Sequence, residues 1–362
     1  MRVGCVVFGN RWTGAAAVAE LHCRALRAAG VDARLLFVGG DNLEQRLAGA
    51  DWALPELRKE RTPGRVAGNL RALRGLAAAS DVVVCYLPHD HLLCIAAGVP
   101  RLAPLVRAIR SPGHLPTNPY NRFLSARAAA FLPAFSDLGK ALEVSFPRAP
   151  SLTVPVPLED KFTPGSAGDG RRRLEIPSEA PTVGMVGKLA AGRGFDLLLE
   201  SAAHVKPPAH VVVVGHGEAQ MGLEILAGEL GLGHRVRWAG YREDVLPALY
   251  SAMDVVLFAA PGSDWGHRTI SEAQGCGRAV VAAAIPGVED LIEHGLSGII
   301  APARPEALAE EVSRLLTDAK TRRRLGAASA AAVEDRRLAH SGRRLEVFLG
   351  RVFPSWQDDP GH

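Results

Sequence analysis

Asp254-Val255-Val256-Leu257-Phe258, then Ala260-Pro261-Gly262-Ser263, then Asp264-Trp265-Gly266-His267-Arg268-Thr269-Ile270-Ser271-Glu272 reads as a buried strand, a turn and a helix start. A short apolar run bounded by turn residues suits a strand covered on both faces, as parallel sheets require. Glycine ahead of a helix lets the backbone come close to a ligand, and the free N–H groups of the first turn form an anion site. Gly266, His267, Arg268 and Thr269, with the amides between them, are therefore candidates to meet a phosphate. Asp264 precedes the helix and Glu272 lies about two turns along it. The two acids can address different ends of one extended ligand.

Outward from this unit the same alternation recurs. Strands are expected at 183–186, His210–Val214, Val236–Ala239, Ala279–Ala283 and Gly298–Ile300, each followed by a helical pattern. An earlier series has strands at Arg2–Phe8, Ala33–Val38, Asp81–Tyr86, Ala103–Arg110 and Ala129–Ala134, with helices at Ala15–Ala29, Gly64–Ala79, Leu92–Ala97 and Asn118–Ala128. Alternation of this kind argues for α/β architecture, with parallel sheets covered on both faces. The prolines of Leu152-Thr153-Val154-Pro155-Val156-Pro157 interrupt it. The expectation is two tandem Rossmann-like doubly wound domains, 1–156 and 157–334, followed by a C-terminal helix and tail, 335–362, that packs back on the first domain. Residues 41–62 read as a loop.

With 48% hydrophobic and 22% charged residues in 362, the chain has the composition of a globular protein able to bury a core. It has no apolar run near the roughly 20 residues of a membrane span and no secretory leader pattern, so a cytoplasmic location is expected. Residues 1–156 carry 19 Lys and Arg against 11 Asp and Glu, a net +8, whereas the remainder carries 23 against 27, a net −4. The basic first half suits an anionic acceptor, a peripheral contact with acidic lipid, or solvated arginine faces alone. Its arginines are dispersed without interleaved aromatics, which argues against nucleic acid. Cys5, Cys23, Cys85, Cys94 and Cys276 are scattered in apolar segments with no paired spacing and read as buried thiols, with no metal site.

Four strand-end loops carry candidate chemistry. Gly9 and Gly14 flank the first, but the spacing is not that of a dinucleotide fingerprint, which disfavours a dehydrogenase. From this loop alone the bland reading is a turn that needs glycine. The loop opening the second domain holds Gly187, Lys188, Gly192, Arg193 and Gly194 ahead of a helix. Two cations beside a helix N-terminus suit a diphosphate. Val214-Gly215-His216-Gly217-Glu218 and Ala239-Gly240-Tyr241-Arg242-Glu243-Asp244 end two further strands on the same side.

Gly187-Lys188-Leu189 with Arg193-Gly194-Phe195-Asp196, Gly215-His216-Gly217, Trp238-Ala239-Gly240-Tyr241, and Asp264 with Glu272 together resemble the donor domain of retaining glycosyltransferases of family 4, which have the GT-B fold. The resemblance covers about residues 181–317 and extends loosely over the first domain, including Gly14. It implies that Glu272 accepts hydrogen bonds from the ribose hydroxyls of a nucleotide, that Asp264 lies near the donor sugar, that Lys188 and Arg193 neutralise the diphosphate, and that backbone around Tyr241 and Arg242 borders the base. This chain departs from the family in having Asp at the first acid and Lys before Arg in the basic pair; bidentate geometry would move to Arg193. The family also places a histidine near the reacting centre after a first-domain strand. In Ile109-Arg110-Ser111-Pro112-Gly113-His114 either Arg110 or His114 aligns with it, and His114 is favoured, with His89 and His91 as fallbacks.

The implied activity is metal-independent transfer of a hexose, with retention, from a nucleoside-diphosphate sugar, UDP-linked by family habit, to a hydroxyl acceptor. No cofactor beyond the donor co-substrate is expected. A soluble small molecule or secondary metabolite is the expected acceptor, with a cell-envelope glycan or lipid-linked acceptor as the alternative. A sugar-nucleotide epimerase and a catalytically silent sugar-nucleotide-binding protein are the competing functions.

Overall fold

The computed structural model describes residues 1–9, 13–60, 62–260 and 264–353. They form two units, Met1–Pro157 with the segment from Arg336 onward, and Leu158–Asp335.

The first unit runs β1 (Arg2–Val7), α1 (Gly14–Ala28), β2 (Asp32–Val38), α2 (Asn42–Arg46), β3 (Ala53–Leu57), α3 (Pro63–Ala78), β4 (Val82–Cys85), α4 (Pro88–Ala96), β5 (Leu105–Ile109), α5 (Pro119–Ser125), β6 (Ala130–Pro133) and α6 (Ser136–Ser145). Its sheet has the order β3-β2-β1-β4-β5-β6, parallel throughout. β4 and β5 are buried at every position, as continuous apolar runs under helices on both faces must be. Side chains such as Phe37 and Phe131 are wholly enclosed, and each contributes about 1.5–3 kcal/mol by leaving water.

Residues 41–62 are not the loop expected from the sequence: they contain α2 and β3. Pro55 within β3 lacks a ladder donor, but β3 is the outermost strand of its sheet and needs only one paired edge. The strand expected at Ala103–Arg110 is shorter, and the helix expected at Leu92–Ala97 begins earlier, at Pro88, where the missing N–H of proline costs nothing.

The second unit runs α7 (Ala167–Arg173), β7 (Thr182–Val186), α8 (Phe195–His204), β8 (His210–Val214), α9 (Gln220–Glu229), β9 (Val236–Gly240), α10 (Leu246–Ala252), β10 (Val255–Phe258), α11 (Asp264–Gly275), β11 (Ala279–Ala283), β12 (Ile299–Ala301), α12 (Pro305–Thr317) and α13 (Ala319–Ala332). Its sheet is also parallel, in the order β12-β11-β10-β7-β8-β9. One apolar core extends over both faces, from Val183 and Val212 to Leu308 and Leu325.

The chain closes with α14 (Leu338–Val352), which packs on α1 of the first unit. Leu338, Leu345 and Leu349 recur at helical spacing and are buried. Gly342 sets the approach, since a Cβ there would overlap the carbonyl oxygen of Ala25. The C-terminal helix therefore packs as the sequence led us to expect.

Candidate active site

In the second sheet the chain passes from β7 outward through β8 to β9, then returns to β10 on the other side of β7. β7 and β10 lie side by side, with Val255 opposite Val183, while the connections leaving them diverge. A crevice outside the carboxyl ends of such a strand pair is where open α/β sheets take ligands.

Local contacts gather the loops there. Gly194 caps α8 in the left-handed conformation, φ 77°, and a Cβ on it would lie 2.5 Å from the carbonyl oxygen of Ala259 at the exit of β10. Gly215 has no room for a side chain against the carbonyl of Gly187. Backbone bonds join neighbouring loops: Leu189 N–H donates to His216 O at 3.1 Å, Ala219 N–H to Leu189 O at 2.9 Å and Gly215 N–H to Gly240 O at 3.0 Å. The ends of β7, β8, β9 and β10 thus form one continuous rim. Gly187, Lys188, Arg193, Gly215, Tyr241 and Arg242 all lie on it.

Lys188 is exposed and its ammonium lies 3.0 Å from Glu218. The Glu218 carboxyl is held below its ordinary range by its own backbone amide and by Lys188. The ring of Tyr241 meets that of His216 edge-on at 6.1 Å, and Arg242 pairs with Asp244 at 2.9 Å.

α11 starts at Asp264, so this acid belongs to the helix and does not precede it as the sequence led us to expect; the turn at 261–263 and the side chains of Asp264 and Gly266 lie outside the described residues. His267 is buried, its ring 5.6 Å from that of Phe258, and Thr269 is half-buried. Glu272 is 3% exposed and held from two sides: Arg268 Nε meets Oε1 at 2.5 Å, and the Tyr250 hydroxyl donates to Oε2 at 2.7 Å. Arg268, also buried, extends its other edge to Glu159 Oε2 at 2.9 Å. Burial raises the Glu272 carboxyl above its ordinary range against the pull of Arg268 and Tyr250. Burial, then Glu272 itself, holds the Tyr250 phenol well above its own range. Glu272 is therefore a fixed acceptor two turns into α11.

Gly14, Arg110 and His114 belong to the first unit. Gly14 opens α1, behind Thr13, whose hydroxyl accepts from Ala16 N–H at 3.4 Å. Arg110 is buried at the end of β5, and its N–H donates to His114 Nδ1 at 3.4 Å, so both candidates for the family histidine occupy one turn. That turn is held by Arg107, buried within β5, which donates to His114 O at 3.1 Å, to Asn121 Oδ1 at 2.7 Å and to Ser125 Oγ at 2.7 Å. Burial lowers the Arg107 guanidinium to about 10. Of the fallbacks, His89 packs its ring against Phe8 and His91 is enclosed on α4, lowered by burial to about 3.

Asp90 was not singled out in the sequence. Its carboxylate accepts from Phe8 N–H at 2.8 Å and Leu87 N–H at 2.9 Å, tying the loop after β1 to the loop after β4 where the first sheet changes direction. Full burial raises it to about 7. Arg107 had left a signal, an arginine inside an apolar strand; Tyr250 and Glu159 left none, because their roles come from tertiary contact.

The match to known proteins centres on this second unit. The family model described as glycosyl transferases group 1 matches residues 168–331, the stretch that holds Lys188, Arg193, Gly215 and Glu272. The similarity to that family covers these residues, less than half of the chain.

Sequence relatives include D-inositol 3-phosphate glycosyltransferases from Corynebacterium urealyticum, 34% identical over 44% of this chain and 41% of the relative, and from Salinispora tropica, 36% identical over 42% and 34%. A lipopolysaccharide core biosynthesis glycosyltransferase of Rhizobium meliloti, LpsE, is 30% identical over 43% of this chain and 45% of that one. The matches thus span less than half the length of these curated relatives. Among solved structures, Anabaena HepE in complex with UDP superposes with a TM-score of 0.84 at 19% identity, covering 97% of this chain and 100% of that one. The sucrose-phosphate synthase of Thermosynechococcus elongatus gives 0.79 at 17%, covering 98% and 100%. These likenesses show the fold, two α/β units in tandem of the GT-B kind. No helix among the described residues is long and apolar enough to cross a membrane.

Proposed function

We propose that the protein is a glycosyltransferase that moves a hexose from a UDP-linked donor to a hydroxyl of a small polar acceptor, with retention and without a metal ion. The observation that supports this reading is that the loop of Lys188 and Arg193 follows β7 and the helix bearing Glu272 follows β10, the two neighbouring strands at the switch point of the second sheet. UDP and UDP-glucose are bound by HepE in its solved complexes, and the D-inositol 3-phosphate glycosyltransferases by their name act on a small phosphorylated polyol. LpsE supports a second acceptor class, a cell-envelope glycan.

The chemistry follows from charge. Breaking the bond between sugar C1 and the diphosphate builds positive charge on the sugar and negative charge on the departing oxygens. Lys188, Arg193 and the amides opening α11 stabilise the leaving group, and fixed donors of this kind do most when they need no reorganisation. Glu272 holds the ribose hydroxyls and Asp264 the donor sugar, while Tyr241 and Arg242 border the base. The acceptor oxygen attacks from the leaving-group face and its proton passes to a diphosphate oxygen, so no protein carboxylate acts as nucleophile. On the first unit, Gly14, Arg110 and His114 serve the acceptor side.

The test is incubation of the full chain, with chelator present, with UDP-, GDP- and ADP-sugars and a panel of polyol and glycan acceptors. Release of nucleoside diphosphate that depends on acceptor is expected, with UDP-sugars preferred. An epimerised donor, or tight binding without any product, would replace this reading.

A further inference from the structure

The stretch Leu158–Phe162 precedes the matched residues 168–331, yet three of its side chains reach the surroundings of Glu272. Glu159 receives one edge of the Arg268 guanidinium, Oε2 to NH2 at 2.9 Å, both side chains buried. Phe162 packs its ring edge-on against Tyr250, centroids 6.0 Å apart. Lys161 bridges Glu159 at 3.2 Å and Glu243 at 3.1 Å, the latter in the turn directly after Arg242. The stretch lies flat along α11: a Cβ on Gly275 would sit 2.8 Å from both Leu158 Cδ2 and the carbonyl oxygen of Phe162.

We infer that the strap Leu158–Phe162 is a positioning element for the donor nucleoside, acting through both partners of Glu272 and through the Glu243 turn; the inference rests on the reading of Glu272 as the ribose acceptor. The physical reason lies in how one guanidinium is shared. Arginine offers donors along two edges, and the two N–H groups of one edge favour closing together on a single carboxylate. Glu159 takes the NH2 donor of Arg268, and Nε is the guanidinium atom nearest Glu272. Among the described residues Arg268 reaches Oε1 and the Tyr250 hydroxyl donates to Oε2, and a carboxylate oxygen accommodates two donors. A cis-diol supplies the remaining pair. Without Glu159 the arginine would close on Glu272 with the two parallel donors of its Nε–NH2 edge and compete with the diol.

The experiment is titration calorimetry of UDP against the full chain and its variants, with donor and acceptor KM and thermal unfolding measured alongside. E159Q should weaken UDP binding and raise donor KM about ten-fold, the loss expected when a charge-assisted hydrogen bond is misdirected, with acceptor KM unchanged. E159D should recover most of the affinity. K161M, at a half-exposed position the fold tolerates, should weaken UDP by about three-fold through the Glu243 turn. E272A serves as the reference. If E272A weakens UDP while E159Q and K161M do not, the strap has no positioning role and the inference falls alone. If E272A leaves UDP binding intact, the reading of Glu272 itself fails and the inference with it. Equal rises in donor and acceptor KM for E159Q, tracking lost thermal stability, would also overturn it.

Discussion

Glu272 shows how a buried acid is kept usable. Taking a carboxylate out of water costs several kcal/mol unless partners replace the lost hydration, and here Arg268 and Tyr250 replace it. Y250F removes one donor while keeping the ring; it should weaken UDP binding roughly five- to ten-fold and leave unfolding within about 1.5 kcal/mol of wild type, the usual worth of one hydrogen bond, as read by calorimetry and urea titration. R193A should lower turnover by about 10²–10³, by analogy with loss of an oxyanion donor, with donor KM changing less; steady-state rates on the full chain decide it. Lys188 and Arg193 stood out in the sequence as cations at a strand end beside helix-start glycines, and Glu272 as the second of two spaced acids whose role the family resemblance implies. Tyr250, Glu159 and Asp90 were not. Each acts on a residue or backbone group brought to it by the fold, and no spacing along the chain records that.

At the scale of elements, the rim of the candidate site depends on how closely the loops approach one another. G215A would push a methyl into the Gly187 carbonyl and separate the loops after β7 and β8. A loss of about 2–4 kcal/mol in urea unfolding, with donor binding lost in proportion, is the expected outcome, since backbone strain and a lost loop contact add. Strands such as β4, β8 and β10 were readable because valine-rich runs admit little else. β3 was hidden by Pro55 and by its edge position, where a short half-buried segment lacks the apolar density of a central strand. The attachment of α14 was legible from its periodicity, although the glycine that seats it on α1 gives no sign without the partner helix.

Across the whole molecule, the first unit buries ionisable groups that make its stability depend on pH. His22 and His91 are lowered by burial to about 3, and Asp90 is raised by burial to about 7. As pH falls from about 6.5 to 4, the unfolded chain gains a proton at each histidine that the folded unit refuses, while folded Asp90 gains one that its unfolded carboxyl does not. The unfolded state therefore gains one proton net from these three groups, and their contribution to stability falls by about 1.4 kcal/mol per pH unit of acidification. H91L removes one of the two histidine protons, so the three-group slope should flatten to near zero. Urea unfolding of wild type and variant from pH 7 to 4.5 checks this; parallel pH profiles would mean that His91 titrates normally. Both ring nitrogens of His91 are buried without a partner among the described residues, so leucine there should also raise stability near neutrality. Most direct is hydrogen exchange of the full chain with and without UDP. Protection is predicted in peptides covering 187–194, 215–219 and 266–272 and not in α2 or α6; unchanged exchange in all three peptides at saturating UDP would contradict a nucleotide site at the switch point of the second sheet.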